Sequence, residues 1–147
     1  VSLKDCVHSS VVHNKRLLIQ NGVALDLGNL DELVLADSKW VEFILSQLLV
    51  NAVKYRRKEG SRISIQACVL GNQVELSVED NGIGIPESDL PRIFEKGFTG
   101  NNGRNGQRST GIGLYLCKRM CDKMGLGIQA VSKQGEYTRF LLVFPRA

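Results

Sequence analysis

The segment from Glu79 to Ile85 joins a carboxylate to a glycine-rich turn. Apolar and polar residues alternate over 74–80, and side chains two apart share one face of a strand, so Asp80 is predicted on the apolar face. A carboxylate in an apolar layer is unfavourable unless a donor hydrogen-bonds to it, and a ligand amino group is such a donor. Gly82 and Gly84 would let the backbone approach that ligand closely. The segment indicates either a ligand-binding loop or an ordinary Asn-Gly turn.

A second group forms a polar stripe on a predicted helix. Gln47, Asn51, Lys54 and Tyr55 recur at helical spacing within a segment that is otherwise strongly apolar. The stripe indicates either a solvated face or a nucleotide site. In a nucleotide site, the amide oxygen of Asn51 suits Mg²⁺, the ammonium of Lys54 suits phosphates, and the ring of Tyr55 suits a base or ribose.

A third group places glycines directly before a predicted helix, in the run Ser109-Thr110-Gly111-Ile112-Gly113-Leu114. The exposed N–H groups and the dipole of a helix N-terminus attract phosphate. The run lacks the Gly-Lys-Ser/Thr of a Walker loop and the third glycine of a dinucleotide fingerprint. It therefore predicts either a phosphate contact of another kind or a simple loop-to-helix junction.

Composition sets the outer bounds. The chain has 147 residues, 43% of them hydrophobic, which suits one domain with a sizeable core. A net charge of +4 suits a phosphate-bearing ligand or an acidic partner and is too small to indicate nucleic acid. No apolar run is long enough to cross a bilayer, and no signal peptide is visible. The start at Val1, without a methionine, predicts a segment of a longer protein.

Cysteine usage indicates reduced thiols rather than disulfides. The chain has four cysteines with no Cys-x-x-Cys pair, and it is long enough not to need covalent staples. Cys117 and Cys121 lie one helical turn apart, a spacing typical of core packing. The alternative is a metal site that they would share with His8 and His13.

The periodicities predict helices and strands in alternation. Helices are predicted over 3–20, 38–58 and 114–124, the second capped by Asp37 and the third ended by Gly125; strands are predicted over 23–27, 33–35, 63–69, 74–80, 126–131 and 137–144. A short helical turn is predicted from Pro86 towards Phe94, and a long loop over 97–109. The hairpin-like strand pairs predict a mixed sheet with helices packed on one face.

In this order, the three motifs resemble the ATP-binding catalytic domain of sensor histidine kinases, in the gyrase/chaperone/histidine-kinase/mismatch-repair ATPase superfamily. The segments that carry the resemblance are 47–55 (the N box), 80–85 (the first glycine box), 93–98 (the F box), 110–114 (the second glycine box) and 135–140 (the terminal Gly-x-Gly-Thr-x-Phe segment). Tyr137 stands where the family usually has a glycine. The resemblance covers nearly the whole chain and implies one domain over 1–147.

The implied fold is α+β: a Bergerat-type two-layer α/β sandwich, with a mixed, mostly antiparallel sheet, helices on one face and a mobile ATP lid at about 96–110. Asp80 is expected to bind the adenine amino group, Asn51 to ligate Mg²⁺, and Lys54 to meet the phosphates. Asn51 and Lys54 are the implied catalytic residues, and Thr138 is expected to order water beside the adenine. The full nucleotide-binding set is Gln47, Asn51, Lys54, Tyr55, Asp80, Gly82, Ile83, Gly84, Ile85, Phe94, Lys96, Gly97, Phe98, Thr110, Gly111, Ile112, Gly113, Leu114 and Thr138.

The lid also holds Arg104 and Arg108, which are either phosphate contacts or solvated loop residues. The stretch from Phe94 to Gly100 resembles the subset of bacterial kinases that answer cell-envelope or peptide signals.

The implied activity is transfer of the γ-phosphate of Mg-ATP to a histidine on a separate dimerisation and phosphoacceptor domain, in two-component signalling. The implied partners are that domain and a cognate response regulator. The parent is expected to be a homodimer in the bacterial cell membrane, with this chain as a cytoplasmic domain. Neither His8 nor His13 lies in a phosphoacceptor motif, so the isolated chain is expected to bind ATP without phosphorylating itself.

One departure within the superfamily bears on the reaction. Members that hydrolyse ATP resemble one another in a glutamate four residues before the Mg²⁺-binding asparagine, and this chain has Gln47 there. An amide cannot accept a proton from water at neutral pH, which favours phosphoryl transfer over hydrolysis. The alternatives are a hydrolysing ATPase, a serine-directed kinase, and a non-catalytic module that binds nucleotide or only a partner protein.

Overall fold

The computed structural model describes residues 1–99 and 112–147, which form a five-stranded sheet and four α-helices. The helices are α1 (Leu3–His13), α2 (Lys15–Gln20), α3 (Ser38–Lys54) and α4 (Gly113–Met124), and a 3₁₀ turn covers Leu90–Arg92. The strands are β1 (Ala24–Leu27), β2 (Arg62–Leu70), β3 (Gln73–Asp80), β4 (Gly127–Lys133) and β5 (Tyr137–Pro145).

The strand order across the sheet is β1-β2-β3-β5-β4. β1 runs parallel to β2, and every other neighbouring pair is antiparallel. Burial alternates along β2, β3 and β5, so one face of the sheet meets the core while the other carries mostly polar side chains. The mixed, mostly antiparallel sheet under helices agrees with the fold predicted from the sequence.

α3 is the central helix and packs against both α1 and α4. Its predicted cap is confirmed, because the Asp37 carboxylate accepts a hydrogen bond from the Trp40 N–H at 3.1 Å. The predicted end near residue 58 is wrong: the helix ends at Lys54. The carbonyl of Tyr55 accepts the Ile83 N–H at 3.0 Å, so it faces the loop after β3. The side chains of α3 that build the core are Val41, Ile44, Leu45, Leu48, Leu49, Ala52 and Val53.

The helix predicted over 3–20 is two helices that meet at Asn14. The Asn14 side chain is buried and donates both to the Ser10 carbonyl at 2.7 Å and to the Ser46 hydroxyl at 3.1 Å. Asparagine competes in this way with regular helical hydrogen bonding, which accounts for the break.

The strand predicted over 33–35 is also wrong. Leu33 forms an isolated bridge with Ser2, and Val34 forms another with Arg146. Because the two bridges go to different segments, no continuous ladder develops, and the segment ties the two chain ends together instead. In the described ranges no helix is long and apolar enough to cross a membrane.

Candidate functional site

Asp80 ends β3 on the core face of the sheet, as the alternation predicted. It lies opposite Ile63 on β2 and Thr138 on β5, and it is only 8% exposed. Its Oδ1 accepts a hydrogen bond from the Gly82 N–H at 2.9 Å. An ionised carboxylate has about four acceptor positions, so further donors can bind to it.

The electrostatics of this carboxylate are unusual. Burial raises the pKa of Asp80 to about 6, the Gly82 N–H opposes that rise, and the negative charge of Glu79 adds to it. The protein therefore stabilises the negative charge only in part, and a ligand that donates hydrogen bonds to this carboxylate would supply what is missing.

The two glycines of the loop after β3 have steric reasons to be glycine. A Cβ at Gly82 would collide with the Tyr55 carbonyl oxygen and come within 2.8 Å of Asp80 Oδ1. Gly84 has a φ of +74°, and a Cβ there would lie 2.5 Å from the Lys133 carbonyl oxygen. The loop is thus packed against both α3 and the β4–β5 turn.

Hydrogen bonds from distant residues hold this loop, and two of these residues, Arg57 and Ser132, were not singled out by the sequence patterns. The Gly135 N–H donates to the Ile83 carbonyl at 2.7 Å, and the Ile85 N–H donates to the Ser132 hydroxyl at 2.8 Å. The guanidinium of Arg57 donates to the carbonyls of Asn81 and Gly135. Since Ser132 is 47 residues from Ile85, only the strand register brings them together.

A cleft opens between the end of α3 and this loop. Asn51 lines it from α3 and Tyr55 from the residue that follows the helix, so these two members of the predicted stripe lie at the same cleft. Of the other predicted residues, it brings in Gly84, Ile85 and Phe98; the lining residues that sequence reasoning missed are Pro86, Asp89, Ile93 and Thr99. Lys54 is half-buried, its Nζ lies 5.5 Å from the Tyr55 ring centroid, and burial lowers its pKa.

The F box divides between the core and the cleft. Phe94 packs edge-on against Phe140 of β5, with ring centroids 6.3 Å apart, and does not line the cleft. The Lys96 Nζ lies 5.8 Å from the Tyr115 ring on α4, away from the cleft lining. Gly97, predicted to bind nucleotide, has a φ of +80°. Of this box, Ile93 and Phe98 line the cleft.

The second glycine box lies where α4 begins. A Cβ at Gly113 would collide with Oε1 of Gln47, so the Gln47 amide lies against the start of α4. Ile112 and Leu114 are half-buried. The predictions for Thr110, Gly111, Arg104 and Arg108 fall outside the described residues.

The alternative metal site finds no support. Within 1–99 and 112–147, no three His, Cys, Asp or Glu side chains are placed to hold a metal ion. Burial raises the pKa of Cys117 to about 12 and that of Cys121 to about 11, which disfavours the thiolate form in which cysteine binds a metal. Asn51, the predicted Mg²⁺ ligand, offers an amide oxygen, and Mg²⁺ takes most of its ligands from phosphates and water.

A family model matches the part of the chain that runs from just before α3 to the last residue. Residues 36–147 match the family described as histidine kinase-, DNA gyrase B-, and HSP90-like ATPase. The chain belongs to this family. Its domains bind ATP, which agrees with the cofactor predicted from the sequence.

Curated relatives extend the similarity over almost the whole chain. The sensor protein BceS of Bacillus subtilis (strain 168) is 40% identical over 145 residues, which are 99% of this chain and 43% of that protein. The sensor histidine kinase GraS of Staphylococcus haemolyticus is 38% identical over 148 residues, 99% of this chain and 42% of that protein. The chain therefore spans less than half the length of these relatives.

Solved structures share the fold. The mycobacterial sensor histidine kinase MprB superposes with a TM-score of 0.83 at 21% identity, over 99% of this chain and 95% of that one. Full-length ShkA in complex with AMPPNP superposes with a TM-score of 0.85 at 22% identity, over 100% of this chain and 31% of that one. The histidine kinase ThkA in complex with the response regulator TrrA superposes with a TM-score of 0.79 at 21% identity, over 100% of this chain and 41% of that one. At these identities the likeness shows the fold, which is that of histidine kinase catalytic domains.

Proposed function

We propose that the chain binds Mg-ATP and donates its γ-phosphate to a histidine on a separate dimerisation domain. The observation that carries the proposal is the buried carboxylate of Asp80, which lies on a glycine loop packed against the end of α3. Both curated relatives are named as sensor proteins or kinases, and ShkA was solved with an ATP analogue.

The residues fit a purine nucleotide. Asp80 is an acceptor that has positions left for an amino group, and the absence of a side chain at Gly82 lets the loop pack closely against the end of α3. Asn51 and Tyr55 line one cleft together with Gly84 and Ile85 of this loop, so a ligand there can contact both the end of α3 and the loop. Thr138 lies beside Asp80 and is the proposed partner of ordered water there.

The chain contributes orientation and charge rather than a covalent step. Lys54 neutralises phosphate charge, Asn51 holds Mg²⁺, and Tyr55 contacts the base or the ribose. When bound, Mg²⁺ would stabilise the charge that develops on the transferring phosphate. Gln47 lies beside the start of α4 and cannot act as a general base towards water, which protects ATP from hydrolysis.

The partners follow from this chemistry. The transfer needs an imidazole from another domain, because His8 and His13 lie exposed on α1, outside the cleft lining. We propose that the parent is a homodimeric membrane sensor kinase, with this chain on the cytoplasmic side, and that its phosphohistidine supplies a response regulator. The complex of ThkA with TrrA supports a response regulator as partner.

Two enzymatic alternatives stay open, a hydrolysing ATPase and a serine-directed kinase, and Gln47 argues against both. A non-catalytic module would be expected to lack residues of one of the family's sequence boxes. The residue in these boxes that departs from the family pattern in this way is Tyr137, which stands where a glycine is usual.

The proposal is tested by incubating the chain with γ-labelled ATP, Mg²⁺ and the parent's dimerisation domain. Acid-labile, base-stable label is expected on the dimerisation domain and not on the chain alone. The Asn51→Ala variant should lose the transfer, while Ser88→Ala, an exposed position outside the cleft lining, should keep it. Stoichiometric label on the isolated chain, or steady phosphate release in place of transfer, would contradict the proposal.

A further inference from the structure

A row of polar side chains crosses the core face of the sheet beside the candidate site. Asp80 of β3 lies opposite Thr138 of β5, and Thr138 lies opposite Ser132 of β4. Asp80 and Thr138 are buried, and Ser132 is half-buried. A carboxylate and two hydroxyls are therefore adjacent in an otherwise apolar layer. The direction of each hydroxyl proton decides which of these groups can donate a hydrogen bond to a ligand and which can only accept one.

The hydrogen bonds around Ser132 determine those directions. Its hydroxyl lies 2.7 Å from the Tyr137 carbonyl oxygen, which can only accept, so the single serine proton goes there. The Ile85 N–H donates to the same hydroxyl oxygen at 2.8 Å. The Thr138 hydroxyl lies 3.1 Å from it, and since the serine proton is already used, Thr138 is the donor in this contact.

This arrangement defines what Thr138 offers to a ligand. With its proton directed to Ser132, its oxygen has only lone pairs left, so it is an acceptor towards every other group. The neighbouring carboxylate of Asp80, when ionised, is also only an acceptor. An ordered water between them would donate its two protons to these acceptors, so it too would offer the ligand only lone pairs. The site therefore favours a ligand group that donates protons, such as an exocyclic amino group, over a carbonyl oxygen, which has none to donate.

We infer that Ser132 determines base specificity: because it accepts the hydrogen bond of the Thr138 hydroxyl, the site binds a 6-amino purine in preference to a 6-keto purine. The inference rests on the proposed function and assigns a new role within the same site. Ser132 is a positioning residue, because it acts through Thr138 and through the loop at Ile85.

Calorimetric titration with ADP and with IDP tests the inference, since the two nucleotides differ only at the edge of the base. The wild-type chain is expected to prefer ADP. Ser132→Ala should lower the ratio of ADP to IDP affinity about tenfold, because the freed Thr138 proton can be donated to a keto oxygen. Ser132→Thr retains a hydroxyl and should restore the wild-type ratio. The control is Ser77→Ala, on the opposite face of β3, which should leave the ratio unchanged.

A double-mutant comparison separates specificity from general support of the fold. In a Thr138→Val background, Ser132→Ala should not change the ratio further, because the hydroxyl through which it acts is absent. A merely structural role would instead lower both affinities equally in either background. If Ser132→Ala does not fold, Ser132→Cys is used instead. Because a thiol is a weak donor and acceptor, this variant should also lower the ratio of ADP to IDP affinity.

The outcomes distinguish the inference from the proposed function. If the wild type prefers ADP and Ser132→Ala keeps the same preference, the inference is overturned and the nucleotide site stands. If the folded wild type binds neither nucleotide, both are overturned.

Discussion

Replacing Asp80 with asparagine should stabilise the ligand-free domain while it removes nucleotide binding. Burial raises the pKa of Asp80 from 3.8 to about 6, so the folded state binds the proton more tightly than the unfolded state. The stability that comes from this protonation is fully present below the pKa of Asp80 in the unfolded chain, and it is lost as the pH rises through the pKa of Asp80 in the folded protein. A shift of about two units, at 1.36 kcal/mol each, makes the ionised wild type about 3 kcal/mol less stable than its protonated form.

Asparagine stays neutral at every pH and can still accept the Gly82 N–H. In denaturant unfolding without nucleotide, Asp80→Asn should therefore be more stable than wild type by up to about 3 kcal/mol at a pH of about 7.5. The gain should fall to about 1 kcal/mol at a pH of about 4.5, where most of the wild-type carboxyl is protonated in the folded state. The control is Asp26→Asn, an exposed carboxylate on β1, which should change stability by less than about 0.5 kcal/mol at either pH.

Two results would refute this reasoning. One is an Asp80→Asn variant that is no more stable than wild type at the higher pH, which would mean that the protein already stabilises the buried charge. The other is a gain of the same size at both pH values, which would trace it to packing rather than to ionisation.

Three further substitutions test other parts of the structure. Gln47→Glu supplies a carboxylate beside the start of α4 and should raise steady phosphate release about 100-fold in a coupled assay; an unchanged rate would refute the role given to the amide. Gly84→Ala places a side chain at a φ of +74° against the Lys133 carbonyl and should lower the unfolding free energy by about 2 kcal/mol, with weaker AMPPNP binding; Gly60→Ala, also at positive φ but with open space around it, should cost less. Asp37→Ala removes the cap of α3 and should cost about 1 kcal/mol in thermal unfolding, with nucleotide affinity retained; no loss would contradict the capping assignment.

The parts of the fold that the sequence predicted correctly depend on local, periodic signals. The strand alternation placed Asp80 on the core face, Asp37 marked the start of α3, and Gly125, with a φ of +73°, ended α4. Each of these depends on residues within a few positions, so each can be read from the chain alone. Of the candidate site, the same local spacing brought Asn51 and Tyr55 to one cleft at the end of α3.

The parts that were wrong or missed depend on distant contacts. α3 ends early where the Tyr55 carbonyl meets the Ile83 N–H, and the first helix breaks where Asn14 reaches Ser46 on α3. Ser132 was missed because its role comes from a strand register that no local pattern encodes.

Nucleotide binding at Asp80 is the property on which the proposed function depends most directly. Calorimetric titration of the wild-type chain with AMPPNP, with and without Mg²⁺, should show saturable binding at one site per chain that tightens with Mg²⁺. Asp80→Asn, folded and more stable, should show none, and Asn51→Ala should lose the Mg²⁺ dependence. A folded wild type that binds no AMPPNP, or an Asp80→Asn variant that binds it as well as wild type, would contradict the account.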